Sequence, residues 1–126
     1  MLPRVVLAAT LLVGALAACS APNPATHFCD DYGNAMRGLY AAASNYTVAP
    51  DQFAIVADST LDDLTRIRAG APDDVLRRAF DSAYFALTVF NEDASLADFL
   101  ARTDFSQDDV VKACAEYGIE LKPAEG

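Results

Sequence analysis

The side chains able to do chemistry in this 126-residue chain are few: one histidine (His27), three cysteines (Cys19, Cys29 and Cys114) and acidic residues that come largely in adjacent pairs. A zinc site needs three or four Cys, His or carboxylate ligands brought to one point, and no such spacing is visible. The pairs Asp30-Asp31, Asp62-Asp63, Asp73-Asp74 and Asp108-Asp109 invite comparison with acid/base dyads or calcium loops. On a helix, however, adjacent side chains point about 100° apart, so neither member of a pair shares a proton or an ion with the other. An Asp-x-Asp-x-Asp-Gly calcium loop is missing, as are a glycine-rich phosphate loop, a Cys-x-x-Cys and any signature around a nucleophilic Ser or Cys. The expectation is a protein without catalytic residues, without a metal and without a resident cofactor.

Aromatic residues are the one excess. Phe80, Tyr84, Phe85, Phe90, Phe99 and Phe105 cluster in the second half of a chain that has no tryptophan. Their simplest role is to fill a core. Tyrosine also ligates haem iron in some haem proteins, and aromatics between helices can line an apolar pocket. Tyr84 and Phe85, with His27 as a further axial ligand, are therefore the candidate ligand-binding residues if the domain carries haem or another apolar molecule.

Cys19 stands out by position. A short basic start (Met1 to Arg4) leads into the apolar run Val5–Ala15, and Leu16-Ala17-Ala18-Cys19 follows at once. The apolar stretch is shorter than the ~18 to 20 residues that a membrane span needs. Its order of basic, apolar and small residues is that of an export signal. The stretch resembles the signal and lipobox of bacterial lipoproteins. That resemblance implies that residues 1–18 are removed, that the Cys19 thiol carries a diacylglyceryl group, and that the mature protein is held to a membrane of the cell envelope on its extracytoplasmic side. Two or more acyl chains suffice for such anchoring.

With Cys19 consumed by lipid, Cys29 and Cys114 remain. An even number of cysteines in an exported protein reads as one disulfide, with two separate buried thiols as the alternative. Such a bridge would close most of the domain into one loop, contributing roughly 4 to 5 kcal/mol on the chain-entropy model.

The chain holds 18 acidic and 9 basic residues, a net charge of −9, and the signal segment takes away only Arg4. Phosphate backbones need clustered Lys and Arg, so nucleic acid is excluded as a partner. Anionic lipid headgroups should repel the domain as well, leaving the acyl chains on Cys19 as its membrane contact. Asp over Glu, Arg over Lys and abundant Ala match a high-GC bacterial coding bias.

The elements that must position these residues are helical. Residues 19–26, with Pro22 and Pro24, read as lipidated cysteine and tether. The helical domain spans 27–118, and residues 119–126 read as a loose tail. Thr26 is a candidate N-cap for a first helix whose face is Phe28, Tyr32, Ala35, Leu39 and Ala43. A second helix, 51–69, presents Phe53, Val56, Thr60, Leu64 and Ile67 and stops at Gly70. Pro72 is expected at the first position of a third, whose stripe is Leu76, Phe80, Ala83, Leu87 and Phe90. Tyr84 and Phe85 widen that stripe, implying burial on more than one side. A short helix covers 95–102, and Ser106 with Asp109 resembles a capping box for a last helix, 107–117, ending at Gly118.

The sum is an all-α fold: a small bundle of about four helices plus a short connecting helix, closed by one disulfide. In an up-down-up-down arrangement the start of the first helix and the end of the last meet at one end, where Cys29 and Cys114 lie. A lipobox followed by an early Cys on the first helix and a late Cys on the last is similar to small actinobacterial envelope lipoproteins, a group with no shared activity. The function expected is a non-enzymatic, lipid-anchored binding module whose partner is another envelope component, the alternative being a carrier of haem or another apolar ligand.

Overall fold

A computed structural model describes residues 22–123, and Cys19 with the signal segment lies outside them. Among the described residues five α-helices follow one another: α1 (Thr26–Ser44), α2 (Pro50–Arg68), α3 (Asp74–Thr88), α4 (Ala94–Arg102) and α5 (Asp109–Glu116), with a 3₁₀ turn at Phe105–Gln107 before α5. No strand occurs among the described residues, and no helix there is long and apolar enough to cross a membrane.

Helix direction follows from which side chains meet. Tyr46, just past α1, packs edge-on against Phe53 near the start of α2, and Asp31 and Asn34 early in α1 line one groove with Asp63 and Ile67 late in α2, so α2 runs back antiparallel. Phe28 and Tyr32 on α1 both meet Phe80 on α3 at ring distances of 6.2 and 6.1 Å. Further along α1, Met36 shares a cavity wall with Leu87, so α3 runs parallel to α1. α5 is antiparallel to α1: Tyr32 bonds to Asp108 at its start, and Cys29 is bonded to Cys114 near its end. The up-down order and the disulfide expected from the sequence are both present.

Apolar periodicity places the core. Phe28, Tyr32, Met36, Leu39 and Ala43 form the buried stripe of α1; Phe53, Ala57, Thr60 and Leu64 form that of α2; Leu76, Phe80 and Leu87 form that of α3. Each large side chain buried this completely contributes about 1.5 to 3 kcal/mol relative to exposure. Val56 and Ile67 are only partly covered, because the α2 stripe is centred on Ala57 and Leu64.

Helix starts differ from the sequence-based expectation at three places. Thr26 is the first helical residue and not the cap; Ala25 holds that position and is fully buried, with its N–H donated to Asn23 Oδ1. Pro72 lies outside α3, whose cap is Asp73, accepting from Leu76 N at 2.9 Å. The last helix begins two residues later than its capping-box pattern predicts: Asp108 is the cap, and Ser106 sits in the preceding 3₁₀ turn, itself capped by Asp104.

Two segments expected to be loose are docked. Asn23 Nδ2 donates to Tyr117 O at 2.7 Å, tying the segment before α1 to the end of α5. Asn23 follows Cys19 by four positions, a reach of roughly 13 Å at about 3.3 Å each. After Gly118 the chain turns back along α1, where Leu121 is buried against Gly33 and the Arg37 guanidinium donates to Lys122 O. A Cβ on Gly33 would stand 3.1 Å from Leu121 Cδ2, so the missing side chain is what lets this segment approach.

Gly118 itself has φ +81° and ends α5 with a paired closure: Gly118 N–H donates to Ala115 O and Ile119 N–H to Cys114 O. That is the left-handed stop in which glycine avoids a Cβ clash. Space around its Cα is open. Gly118→Ala is therefore expected to cost about 1 to 2 kcal/mol through backbone strain alone, readable as a lowered denaturant midpoint. Gly70, by contrast, follows α2 without a positive φ.

Candidate functional site

The polar centre of the bundle forms where α5 begins. Tyr32 lies on the buried stripe of α1, and a buried phenol needs a partner for its hydroxyl. The chain supplies one from 76 positions away: Tyr32 OH donates to Asp108 Oδ2 at 2.5 Å. The other oxygen, Oδ1, accepts from the N–H groups of Val110 and Val111, at 2.8 and 3.3 Å, at the positive end of α5. One carboxylate thus caps the last helix and satisfies a tyrosine of the first.

Burial pushes the Asp108 carboxyl above its usual range, against the lowering effect of the Tyr32 bond and the two amides; Asp109 next door adds to the rise. Tyr32 is raised well above 10, chiefly by burial and then by the negative charge of Asp108. Tyr40, two turns along α1, is pushed up to about 12 by burial first and by Asp108 and Asp104 second. At neutral pH both phenols stay protonated, and Tyr32 acts as a neutral donor. They are not bases.

A cavity of about 160 Å³ opens beside this carboxylate, between Met36, Tyr40, Leu87, Phe99, Thr103 and Asp108. Pockets for drug-sized ligands run from about 300 Å³ upward, so this space admits only a handful of atoms. At its rim Ser82 OH donates to Asp109 Oδ2 at 2.7 Å, linking α3 to α5. A larger cleft of about 630 Å³ lies between the C-terminal half of α1 and α4, walled by Tyr40, Leu100, Thr103, Phe105 and Pro123.

The residues singled out in the sequence are spread apart. Tyr84 stacks on Phe80 at 5.8 Å, within a ring cluster completed by Phe28 and Tyr32. Phe85 points to solvent with 68% of its surface exposed, contrary to the expected burial of α3 on two sides. His27 is exposed at the start of α1. None of the three lines the cavity at Asp108 or the α1–α4 cleft. The other aromatics divide as well: Phe90 stacks on Phe99 at 4.6 Å, and Phe105 meets Tyr40 edge-on at 5.6 Å. Cys29 and Cys114 are joined and fully buried.

Sequence reasoning missed the Tyr32–Asp108 pair. The available signal was a tyrosine on an otherwise apolar helical face. Among the described residues no group of three or more His, Cys, Asp or Glu is placed to hold a metal ion. Comparison of the chain with protein-family models, with curated proteins and with solved structures finds no match.

Proposed function

We propose that this protein is a lipid-anchored domain of a bacterial cell envelope, attached through acyl chains on Cys19 and working outside the cytoplasm by binding another envelope component, not by catalysis. The observation that carries the reading is the buried Cys29–Cys114 bond between the first and last helices. Structural disulfides persist in oxidising compartments and are rare in the bacterial cytosol. The lipobox pattern at Leu16–Cys19 is the sequence feature consistent with that location. The tie between Asn23 and Tyr117 supports a short leash, because it leaves only three residues between the lipidated position and the tied one.

A second reading, a carrier of a small apolar ligand, is favoured by the α1–α4 cleft, whose volume lies within the range of ligand sites. A haem held by Tyr84 has less support, since that half-buried ring is stacked on Phe80 against the core.

Mass spectrometry of the protein extracted from membranes tests the anchor. The expected product starts at Cys19, carries a diacylglyceryl mass and retains two further cysteines that resist alkylation until reduced. Cys19→Ser should abolish the lipid mass and release the protein from membranes. A membrane-extracted chain that still begins at Met1, or freely alkylated Cys29 and Cys114, would overturn the reading. A co-purifying small apolar molecule would move the second reading ahead.

A further inference from the structure

Charge is unevenly distributed along the fold. No lysine or arginine occurs in residues 38–65 or 79–101, yet these stretches hold eight acidic residues. They include most of α2 and α3, the loops at the α1–α2 and α3–α4 junctions, and nearly all of α4. The same stretches carry large apolar side chains turned to solvent: Ile55 on α2 is 63% exposed, Phe85 on α3 68%, and Val89 59%. Isolated exposed hydrophobics are ordinary, but these fall on stripes. Ile55, Asp58 and Asp62 follow at i, i+3 and i+7 on the outer side of α2, and Phe85 on α3 is followed at i+4 by Val89, the residue that caps the helix's end.

The helices that carry the two stripes are neighbours in the bundle. The Arg68 guanidinium donates from both Nε (2.6 Å) and Nη2 (3.0 Å) to Asp81, one turn before Phe85, bracing α2 against α3. At the other end Glu92 feels the charge of Asp58. Arg66 and Arg68 are already paired, with Asp63 and Asp81, while Asp58, Asp62 and Glu92 have no ion-pair partner among the described residues, so the face between the helices is apolar with a net acidic rim.

We infer that this α2–α3 face docks a protein segment bearing lysine or arginine beside apolar side chains, an amphipathic basic helix or its equivalent. Charge complementarity selects that occupant. A second copy would set one acidic rim against another, and anionic lipid would be repelled for the same reason. Apolar anchors would supply residence and the acids would supply steering and register. The inference rests on the reading of the domain as a binding module and gives that module its partner chemistry.

The test is a titration of the purified mature protein, whatever its N-terminal modification, so a failed lipid assay and a failed docking assay are separate results. The probe is a synthetic helix with leucine on one face and lysine on the other, followed by amide chemical shifts and fluorescence anisotropy. Controls replace its leucines by serine or its lysines by glutamate. Binding is expected for the leucine–lysine peptide alone, with shifts centred on Ile55, Phe85 and Val89. The double variant Phe85→Ser/Val89→Ser should weaken it at least about tenfold, as truncation of interface anchors does. Because both side chains are exposed, the variant should keep the parent melting temperature, and Phe85→Leu should restore much of the affinity. Asp58→Asn/Asp62→Asn should weaken binding and flatten its salt dependence. Equal binding of the serine–lysine peptide, or an affinity indifferent to the Phe85 and Val89 changes, would overturn the inference. So would a patch that instead drives dimers in sedimentation or adsorption to anionic vesicles.

Discussion

Replacing Cys29 and Cys114 together by alanine is expected to remove about 4 kcal/mol of stability and to lower the melting temperature by roughly 15 to 30 °C. The bond joins positions 85 residues apart, so in the unfolded chain it ties almost the whole domain into one loop. Cutting it returns that loop's entropy to the unfolded state, which is why the expected loss exceeds that of any surface contact here. The exposed ion pairs, such as Arg77 with Asp74 and Arg102 with Asp98, are each worth at most about 1 kcal/mol. A domain of this size has in total only about 5 to 15 kcal/mol of stability, so the loss is a large fraction of it. Wild-type protein unfolded in excess reductant should match the double variant. Single substitutions should be no better, since each leaves an unpaired buried thiol. An unfolding free energy that falls by less than about 1 kcal/mol in denaturant titrations would show that helix packing alone closes the bundle.

The features legible in the sequence were those encoded by local periodicity and by counting. Apolar positions three and four apart locate all the helices within a few residues, and the cysteine arithmetic anticipates the bond between the first and last of them. What stayed hidden depends on choices between equally good local signals or on distant matches. Ser106 and Asp108 are both strong cap residues; Asp108 wins because its carboxylate also meets Tyr32, which no local window contains. Phe85 stands in the apolar run Ala83–Leu87, which blurs the helical period, and its outward position emerges only once Phe80 and Leu87 define the inner face. Leu121 belongs to a stretch with no periodicity at all. Its burial depends on an absent side chain at Gly33, a complementarity that only the fold reveals. Charge was legible as a total, but the cation-free stretches 38–65 and 79–101 became meaningful when Ile55, Phe85 and Val89 within them proved exposed.

The same logic predicts a second large effect, at Asp108. Asp108→Ala removes the cap of α5, worth about 1 kcal/mol, and leaves the buried Tyr32 hydroxyl without an acceptor, worth about 1 to 3 kcal/mol more. A total loss of about 2 to 4 kcal/mol is expected by denaturant unfolding. Asp108→Asn should recover much of it, since asparagine caps helices well and its side-chain oxygen can still accept from Tyr32. Tyr32→Phe removes the same hydrogen bond from the other side, so the double-mutant cycle of Tyr32→Phe with Asp108→Ala should show strong coupling. The pH dependence has a definite sign. Burial raises the folded-state pKa of Asp108 above its unfolded value near 4, so between those values the native protein binds more protons than the unfolded chain. The contribution of this group to stability is then fully present below the unfolded value and is lost as pH rises through the folded one. Measured against the Asp108→Asn variant, wild type should be relatively more stable in acid than at neutral pH. A difference that grows with rising pH would mean that the Tyr32 and amide hydrogen bonds outweigh desolvation, and that the carboxylate at the centre of the bundle is held charged rather than penalised for it.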